Sequence, residues 1–303
     1  MDAPLVVDKN TLYPNASLKH AYEKNKLFTV VIPNLNQGQF IEHALVSLFS
    51  QAGEKDYEVI IVDGGSTDSS IGIIKKYENR LAWWCSERDS GQSEALNKGF
   101  IQAKGRFLTW LNADDVMLPG TLERVRKCVQ MFDERGEEIN WIAGNMIHMD
   151  AQEQILWCAR GENWHNFLFR HAPVRVYGPS SFFLKSLFEK TTGFDLSFRV
   201  AMDKDLWLMF KNLGATYVRV NAYFWGFRVH DNSKTRGAEY DRIPEHKEEN
   251  ARVNRKNGLV VTSSGIMLQR LWRLLNGSYV LSAWDTLRFK GKRITDINIL
   301  FFT

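Results

Sequence analysis

The chain has 303 residues, enough for one large or two modest domains, and its 44% hydrophobic and 24% charged residues indicate a globular protein rather than a disordered one. Its three cysteines are widely spaced and include no Cys-x-x-Cys pair, which argues against a disulfide framework and a cysteine zinc site and indicates a reducing compartment. Because no signal-peptide pattern and no run of 18 apolar residues occur, we expect a cytoplasmic protein without a spanning helix.

The net charge of +4 is distributed unevenly along the chain. From Arg252 onwards nine Lys and Arg stand against two Asp, so residues 252–303 carry +7 and residues 1–251 carry −3. The body of the chain therefore lacks the charge of a nucleic-acid-binding protein. Any anionic surface is expected to meet the tail instead.

Strands and helices alternate through the first half, after a polar and irregular arm at residues 1–26. Four short apolar runs predict buried strands, at Phe28 to Ile32, Val59 to Val62, Leu81 to Trp84 and Phe107 to Leu111. Apolar residues at helical spacing predict helices around Ile41–Leu48, Ile73–Tyr77, Leu96–Ala103 and Leu122–Val129. This alternation predicts an α/β fold with a doubly wound, mostly parallel sheet.

One stretch of the first half concentrates oxygen-bearing side chains. Asn112, Asp114 and Asp115 directly follow the predicted strand at Phe107 to Leu111. The carboxyl ends of strands in an open α/β sheet are where ligands usually bind. Clustered carboxylates suit a hard divalent ion, and Mg²⁺ or Mn²⁺ commonly shares such ligands with phosphates. The sequence therefore predicts a metal–phosphate site at Asp114.

The second half is less regular. Strands are predicted at Trp141 to Ala143, Thr216 to Val220 and Tyr223 to Val229, and a helix is predicted to follow residues 202–205. Residues 150–178 show no clear pattern. In the tail, Leu268, Leu271, Trp272 and Leu275 form the apolar stripe of an amphipathic helix, with Arg270 and Arg273 off that stripe.

Five motifs in this order resemble the inverting family 2 glycosyltransferases of GT-A fold: VVIPNLNQ, VIIVDGGSTD, the aspartates after the fourth strand, MDKDLWL and RVHDNSKT. The resemblance covers roughly residues 28–235. It implies that the chain moves a sugar from a nucleotide-sugar, with UDP- or dTDP-sugars favoured, to a hydroxyl of a glycan or lipid-linked acceptor in surface polysaccharide or glycan synthesis.

The resemblance also implies roles for individual residues. Pro33, Asn36 and Asp63 fall where the family holds the base and ribose. The family's metal motif falls on Asn112-Ala113-Asp114, so its first acid is an amide here, and Asp114 is left as the direct ligand of Mn²⁺ or Mg²⁺. The catalytic base falls on Asp203, with Met202 where the family usually has Glu. The remaining implied contacts are Asn112, Asp115 and Asp89 on the donor and His230 on the metal or diphosphate.

Several alternatives stay open at this point. Asp63 could cap its turn and make no ligand contact. Asp115 could support its neighbours rather than touch a ligand, and Asp89 could be a solvated loop residue. Asp205 is a second candidate for the base, although the family spacing favours Asp203. Two other classes remain, a sugar-phosphate nucleotidyltransferase and a non-catalytic nucleotide-sugar-binding protein. The first would be expected to have a basic glycine-rich loop near the first strand, which is absent.

The predicted organisation is an arm at residues 1–26, a GT-A domain at residues 27–250 and a basic helical extension at residues 251–303. Within the domain, residues 27–118 form the nucleotide-binding half and residues 119–250 the acceptor half. Two hypotheses apply to the extension. It rests on an anionic membrane that carries the acceptor, or it packs on the catalytic domain.

Overall fold

The computed structural model describes residues 26–162, 171–172, 175–231, 233 and 243–296. The predicted arm therefore lies outside the described residues, apart from Lys26. The same is true of Asn232, Lys234 and Thr235 in the last of the five motifs.

Nine strands of the described residues form one sheet. Their bounds are β1 Phe28–Asn34, β2 Tyr57–Asp63, β3 Trp83–Ser86, β4 Phe107–Trp110, β5 Val116–Met117, β6 Trp141–Met149, β7 Ile155–Ala159, β8 Ser181–Leu184 and β9 Tyr217–Arg228. The strand order is β3-β2-β1-β4-β8-β6-β9-β5, and β7 pairs with β6. Strands β1 to β4 are parallel to one another, whereas β8, β7 and β5 pair antiparallel to their neighbours.

The described helices are α1 Ile41–Phe49, α2 Ser70–Lys76, α3 Gln92–Gln102, α4 Thr121–Glu134, α5 Lys185–Phe188, α6 Met202–Asn212, α7 Pro244–Lys256, α8 Ser263–Leu275 and α9 Ser278–Phe289. Short 3₁₀ turns occupy Glu54–Asp56, Glu78–Arg80, Gly178–Ser180 and Ile294–Asp296. No helix among the described residues is both long enough and apolar enough to cross a bilayer.

The parallel half follows the predicted pattern closely. Val30, Val31 and Ile32 of β1 and Ile60 and Ile61 of β2 are completely buried, as expected of strands covered on both faces. Helix α3 approaches this sheet so closely that a Cβ added at position 99 would collide with Val31, which explains the glycine there. The predicted α/β fold with a doubly wound sheet is confirmed, and the antiparallel pairs lie in the second half.

The second half corrects two sequence-based expectations. The two strands predicted at residues 216–220 and 223–229 are one strand, β9, because its pairing with β6 shifts register between Arg219 and Tyr223 instead of ending there. The short strand predicted from Trp141 continues to Met149. The unassigned region contains β7, an antiparallel partner of β6.

The boundary predicted at residue 250 falls inside a helix. Helix α7 runs from Pro244 to Lys256. It contacts the start of α6, because the Glu249 carboxylate accepts hydrogen bonds from the backbone N–H groups of Val200 and Ala201 at 2.6 and 2.7 Å. Helix α7 therefore packs against the residues that begin α6, and the division of the chain at residue 250 stays a prediction.

Candidate functional site

A cavity of about 530 Å³ opens where the strand order reverses. Strand β1 pairs with β2 on one side and with β4 on the other, so the cleft beyond the carboxyl ends of β1 and β4 is the topological switch point of the sheet. This volume lies within the usual range of ~300–1,000 Å³ for small-molecule sites. The cavity is lined by Pro33, Asn34, Leu35, Gln37, Asp89, Ser90, Gly91, Gln92, Ser93, Glu94, Ala95, Trp110, Asn112, Asp114, Pro179, Leu196, Phe198, Arg199, Val200, Met202, Asp203, Trp225, Phe227 and Ser233.

Five of the residues selected from the sequence line this cavity, namely Pro33, Asp89, Asn112, Asp114 and Asp203. They come from four separate parts of the chain, and the fold brings them to one place. Asn36, Asp63, Asp115 and His230 are absent from the lining. The contacts of these four residues explain what each does in the fold.

Asp63 is completely buried at the end of β2. Its carboxylate accepts hydrogen bonds from Asn34 Nδ2 at 2.6 Å, Ser66 Oγ at 2.5 Å and Ser86 Oγ at 2.6 Å, and from the backbone of Ser66 at 2.9 Å. Burial acts to raise the pKa of Asp63, but these hydrogen bonds outweigh it and lower the pKa below its usual range. Asp63 thus ties the ends of β1, β2 and β3 together behind the cavity, which agrees with the turn-capping alternative.

Asn36 has a similar tying role in the loop after β1. It adopts a left-handed backbone conformation with φ of 51°. Its side-chain oxygen accepts a hydrogen bond from the backbone N–H of Thr67 at 2.8 Å, and its own N–H donates to Ser66 Oγ at 2.8 Å. These two bonds fix the loop that carries the lining residues Leu35 and Gln37.

Asn112 and Asp115 belong to a chain of hydrogen bonds beside Asp114. Asn112 lines the cavity, accepts a hydrogen bond from Gln92 Nε2 at 2.8 Å and donates one to Asp115 Oδ2 at 2.7 Å. Asp115 is completely buried and accepts a hydrogen bond from the backbone N–H of Arg228 at 2.8 Å. Burial, and then the nearby charge of Asp114, raises the pKa of Asp115. Asp115 therefore orients Asn112 and the end of β9 rather than reaching the cavity itself.

Asp114 and His230 meet although 116 positions separate them. Asp114 Oδ2 lies 3.1 Å from His230 Nε2. The His230 ring packs on Phe40, with ring centroids 4.8 Å apart. The fold thus joins the strand-end aspartate to the histidine of the RVH motif, the two residues that the resemblance assigned to metal.

Arg228 organises this junction, and the sequence analysis did not select it. The side chain is completely buried, and Nε donates to the backbone carbonyl of Asp114 at 2.7 Å. Nη1 donates to the carbonyl of Ala151 at 3.0 Å, and Nη2 donates to Glu153 Oε1 at 2.9 Å. Glu153 itself adopts a φ of 66° in the turn between β6 and β7. The guanidinium therefore fixes both the Asp114 backbone and the strand that leads to His230.

The two candidate bases differ sharply in their surroundings. Asp203 lines the cavity from the first turn of α6, and its Oδ1 accepts a hydrogen bond from the backbone N–H of Lys204 at 2.7 Å. Asp205 is completely buried, accepts a hydrogen bond from Asn257 Nδ2 at 2.6 Å and pairs with Lys256 Nζ at 2.8 Å. Only Asp203 is placed to meet a ligand, and Asp205 attaches α7 to α6.

Asp89 lines the cavity from the loop before α3. Its Oδ1 accepts a hydrogen bond from the backbone N–H of Gly91 at 2.9 Å. Burial raises the pKa of Asp89, although this hydrogen bond acts to lower it. A partly buried carboxylate of this kind is suited to accept hydrogen bonds from ligand hydroxyl groups.

The side chains available to a metal ion are few. Within the described ranges, no group of three His, Cys, Asp or Glu side chains converges in the manner of a complete protein cage. The Asp114–His230 pair is consistent with an ion that takes its other ligands from phosphate oxygens and water, as Mg²⁺ commonly does. The donor set thus fits a metal that is bound together with a diphosphate.

Comparison with known families gives an independent result. Residues 29–143 match the model described as glycosyl transferase family 2. An uncharacterized glycosyltransferase of Rickettsia prowazekii is 26% identical over 197 residues, which cover 63% of this chain and 60% of that protein. The poly(ribitol-phosphate) beta-N-acetylglucosaminyltransferase TarS of Staphylococcus aureus is 33% identical over 100 residues, or 32% of this chain and 18% of TarS.

Solved structures with the same fold cover more of the chain. A TarS structure in complex with UDP-GlcNAc matches with a TM-score of 0.56 at 18% identity, over 75% of this chain and 65% of that one. A mannosyltransferase from Pyrobaculum calidifontis in complex with GDP-Man and Mn²⁺ matches with a TM-score of 0.57 at 20% identity, over 79% and 67%. At these identities the likeness establishes the fold.

Proposed function

The chain carries a family 2 glycosyltransferase domain over residues 29–143, and from this premise we propose that it transfers a sugar from a nucleotide-sugar to an acceptor hydroxyl with inversion. The observation that carries the proposal is the placement of Asp114 and Asp203 in one cavity, on separate elements. An inverting transfer needs one acid near the leaving diphosphate and another near the acceptor. The two aspartates supply these groups.

The donor lies across the carboxyl ends of β1 and β4 in this proposal. Pro33 and the loop held by Asn36 and Asp63 bound the space for the base and ribose. Asp89 accepts hydrogen bonds from the sugar and ribose hydroxyls, and Asn112 accepts or donates them. UDP- and dTDP-sugars are the favoured donors. A UDP-GlcNAc complex of TarS supports this choice, whereas the mannosyltransferase of the same fold binds GDP-Man.

Asp114 and His230 would hold a divalent ion, Mn²⁺ or Mg²⁺, with Asp115 and Arg228 supporting them. Such an ion neutralises charge that develops on a departing diphosphate. The Mn²⁺ complex of the mannosyltransferase supports this reading. The protein's own contribution is orientation, because Arg228 fixes the Asp114 backbone and Phe40 packs on the His230 ring.

Asp203 acts as the general base. Its carboxylate takes the proton of the acceptor hydroxyl while the acceptor oxygen bonds to the anomeric carbon. The bond from that carbon to the diphosphate breaks, and its electron pair leaves with the nucleoside diphosphate. Attack from the side opposite the leaving group inverts the anomeric centre. Met202, in the position of the family's Glu, is buried and contacts Ser93 Oγ through its sulfur at 3.2 Å, so it packs the wall beside the base.

We assign the acceptor to the class of glycan or lipid-linked glycan hydroxyls, in surface polysaccharide synthesis on the cytoplasmic face of a membrane. Names of relatives support this assignment. They include TarS and a minor teichoic acid biosynthesis protein, GgaB, of Bacillus subtilis that is 32% identical over 121 residues. The basic tail is the part that would meet an anionic membrane.

The test is a screen of nucleotide-sugars with and without Mn²⁺, read out by thermal stabilisation and then by product analysis. A true donor should raise the melting temperature by mass action. Release of the nucleoside diphosphate in the presence of a hydroxyl acceptor supports the proposal. Release of pyrophosphate would instead identify a nucleotidyltransferase, and donor binding without any release would identify a binding protein.

A further inference from the structure

Helices α8 and α9 expose apolar side chains and bury polar ones, the reverse of the rest of the molecule. Eleven large side chains on their outer face are exposed, several of them by more than half: Met267, Leu268, Leu271, Trp272, Leu274, Leu275, Tyr279, Val280, Leu281, Trp284 and Leu287. Leu275 and Leu287 are 73% and 80% exposed. Isolated apolar side chains on a surface are ordinary, but a continuous set on adjoining helices marks an interaction surface.

The inner face of these helices is mostly polar, apart from Phe289 at the end of α9, which is buried in a small apolar cluster with Ile155 and Ile294. On α8, Gln269 Nε2 donates to Glu162 Oε2 at 2.8 Å, and Arg273 Nε lies 3.0 Å from Glu162 Oε1. Gln269, Arg273 and Glu162 are all buried. The side of α8 that faces the catalytic domain is therefore its hydrophilic side.

Helix α9 repeats this arrangement on β7. Asp285 is buried and accepts hydrogen bonds from Arg160 Nη2 at 2.7 Å and from the Tyr223 hydroxyl at 2.6 Å. Thr286 Oγ1 accepts a hydrogen bond from the backbone N–H of Cys158 at 2.9 Å. The helix pair is thus fixed in this orientation by directed polar contacts, and its apolar side is turned away from the protein.

The charges around the apolar face select its partner. The two helices and the turn after them carry exposed cations, Arg270 on α8 and Arg288, Lys290, Lys292 and Arg293 at and after the end of α9. Between residues 257 and 295 the one acidic residue is Asp285, and it is buried. A second copy of this face would bring cations against cations, whereas an anionic lipid surface complements them.

The dimensions and composition of the helices agree with a position in the membrane interface. With 13 and 12 residues, α8 and α9 are ~20 Å long at 1.5 Å per residue, too short to span a bilayer. Trp272, Tyr279 and Trp284 have the amphipathic rings that favour the headgroup level. We infer that the outer face of α8 and α9 inserts into one leaflet of an anionic membrane.

A continuous segment joins this surface to the catalytic cavity. Arg175 approaches Glu162 with Nε 3.6 Å from Oε1, beside the α8 contacts, and Pro179, four residues on, lines the cavity. A Cβ added at Gly178 would lie 3.3 Å from Asp203 Oδ2. This path connects the helix pair to the Asp203 side of the cavity. A membrane beneath the helix pair would favour a lipid-linked acceptor, a step that rests on the proposed function.

The insertion is tested by sedimentation of the full chain with vesicles of phosphatidylcholine alone or mixed with phosphatidylglycerol. The wild type should sediment with the anionic vesicles, with a blue shift of tryptophan fluorescence, and less with the neutral ones. The double variant Trp284→Gln/Leu287→Gln removes two outward side chains and should reduce the partition coefficient at least ~10-fold. The matched control Val46→Gln/Leu213→Gln changes exposed apolar residues elsewhere and should bind as the wild type does.

Three results would overturn the inference. They are a folded wild type that stays in the supernatant, a double variant that binds vesicles normally, and a concentration-dependent dimer that dissociates in the double variant and shows no vesicle binding. Nucleoside diphosphate release by the double variant without vesicles should equal that of the wild type. Vesicle binding without any transfer by the wild type would refute the proposed function and leave the membrane surface standing.

Discussion

The sheet formed by β1 to β4 and the helix pair α8–α9 obey opposite rules of burial. In the sheet and its covering helices, Val31, Ile61 and Leu96 are completely buried, and polar groups lie at the strand ends. In α8–α9, Gln269 and Asp285 are buried, and the leucines face outwards. The contrast teaches that an amphipathic pattern establishes two faces on a helix, but the groups on the neighbouring surface decide which face is covered.

If the cavity carries out the reaction and the helix pair only binds the membrane, a change in the cavity should affect transfer alone. Asp203→Asn should slow transfer by ~10²–10⁴-fold, because a general base contributes about that much. Donor affinity and vesicle binding should remain at wild-type values. The measurements are steady-state kinetics, calorimetry with the donor and sedimentation with vesicles.

Asp205→Asn is the matched control for this change. Asp205 is buried against Lys256 and Asn257, so the substitution should lower the free energy of unfolding while the folded fraction transfers sugar at a near-normal rate. A variant pair in which Asp205→Asn is inactive and Asp203→Asn is active would move the base to Asp205.

Removal of the carboxylate at the strand end should act on metal rather than on the acceptor. Asp114→Asn should weaken Mn²⁺-dependent binding of a nucleoside diphosphate by at least ~10–100-fold, the scale on which even supporting residues of metal sites act. Calorimetry with and without Mn²⁺ measures this directly. Metal-dependent binding that is unchanged in the folded variant would remove Asp114 from the site.

Because α8 and α9 bury polar side chains and expose their leucines, the polar residues should hold these helices in place. Asp285→Ala leaves Arg160 and the Tyr223 hydroxyl without their buried partner and should cost ~3–5 kcal/mol of unfolding free energy. Glu123→Ala breaks the exposed pair with Lys127 on α4 and should cost much less, because water already solvates both charges. Urea unfolding compares the two, and equal costs would contradict the burial seen here.

One pair of identical deletions tests the comparison most simply. Leu96→Ala in α3 removes a fully buried side chain and should cost ~2–5 kcal/mol, whereas Leu287→Ala in α9 should change stability by no more than ~0.5 kcal/mol. Both residues lie inside helices, so the difference reports burial rather than helix propensity. A large loss on Leu287→Ala would show that another part of the protein covers this side chain.

A pH-dependent effect is expected outside both regions, at His148 in β6. Its ring stacks on Trp157 with centroids 4.1 Å apart, and burial lowers its pKa to about 3. Because the unfolded chain takes up the proton at about pH 6.5, this contribution to stability is complete above that pH and declines as pH falls towards 3. The unfolding free energy should decrease by ~2 kcal/mol from pH 7.5 to pH 5 on account of His148 alone.

The variant His148→Phe should lack this contribution. The measured quantity is the difference between wild type and variant across pH 5–7.5, which removes the titration of the carboxylates. Parallel pH profiles for the two proteins would mean that His148 is accessible to protons in the folded state.

Local pattern was enough for the parallel half and for part of the site. Apolar runs and turn residues located β1, β2 and β4, and the strand-end position of Asp114 predicted its place at the cavity. The resemblance to family 2 glycosyltransferases added Asp203, which lines the cavity as expected. These features depend on residues close together in the chain, so periodicity and spacing carry the information.

The features that sequence reasoning missed depend on distant partners. Arg228 looked like one charge within an apolar run, and its role follows only from contacts with Asp114, Ala151 and Glu153. Asp63 and Asp115 could not be separated from ligand-binding carboxylates because their hydrogen-bond donors come from several loops. The outward direction of Leu275 and Leu287 likewise depends on Glu162 and Arg160, which lie far away in sequence.

The configuration of the transferred sugar reports whether transfer at Asp203 proceeds with inversion. With a hydroxyl acceptor that supports release of the nucleoside diphosphate, proton NMR of the product reports the anomeric signal of the newly attached sugar. A single displacement assisted by Asp203 predicts that an α-linked nucleotide-sugar gives a β-linked product. An α-linked product would exclude inversion at Asp203, because retention requires a step that a single base opposite the leaving group does not provide.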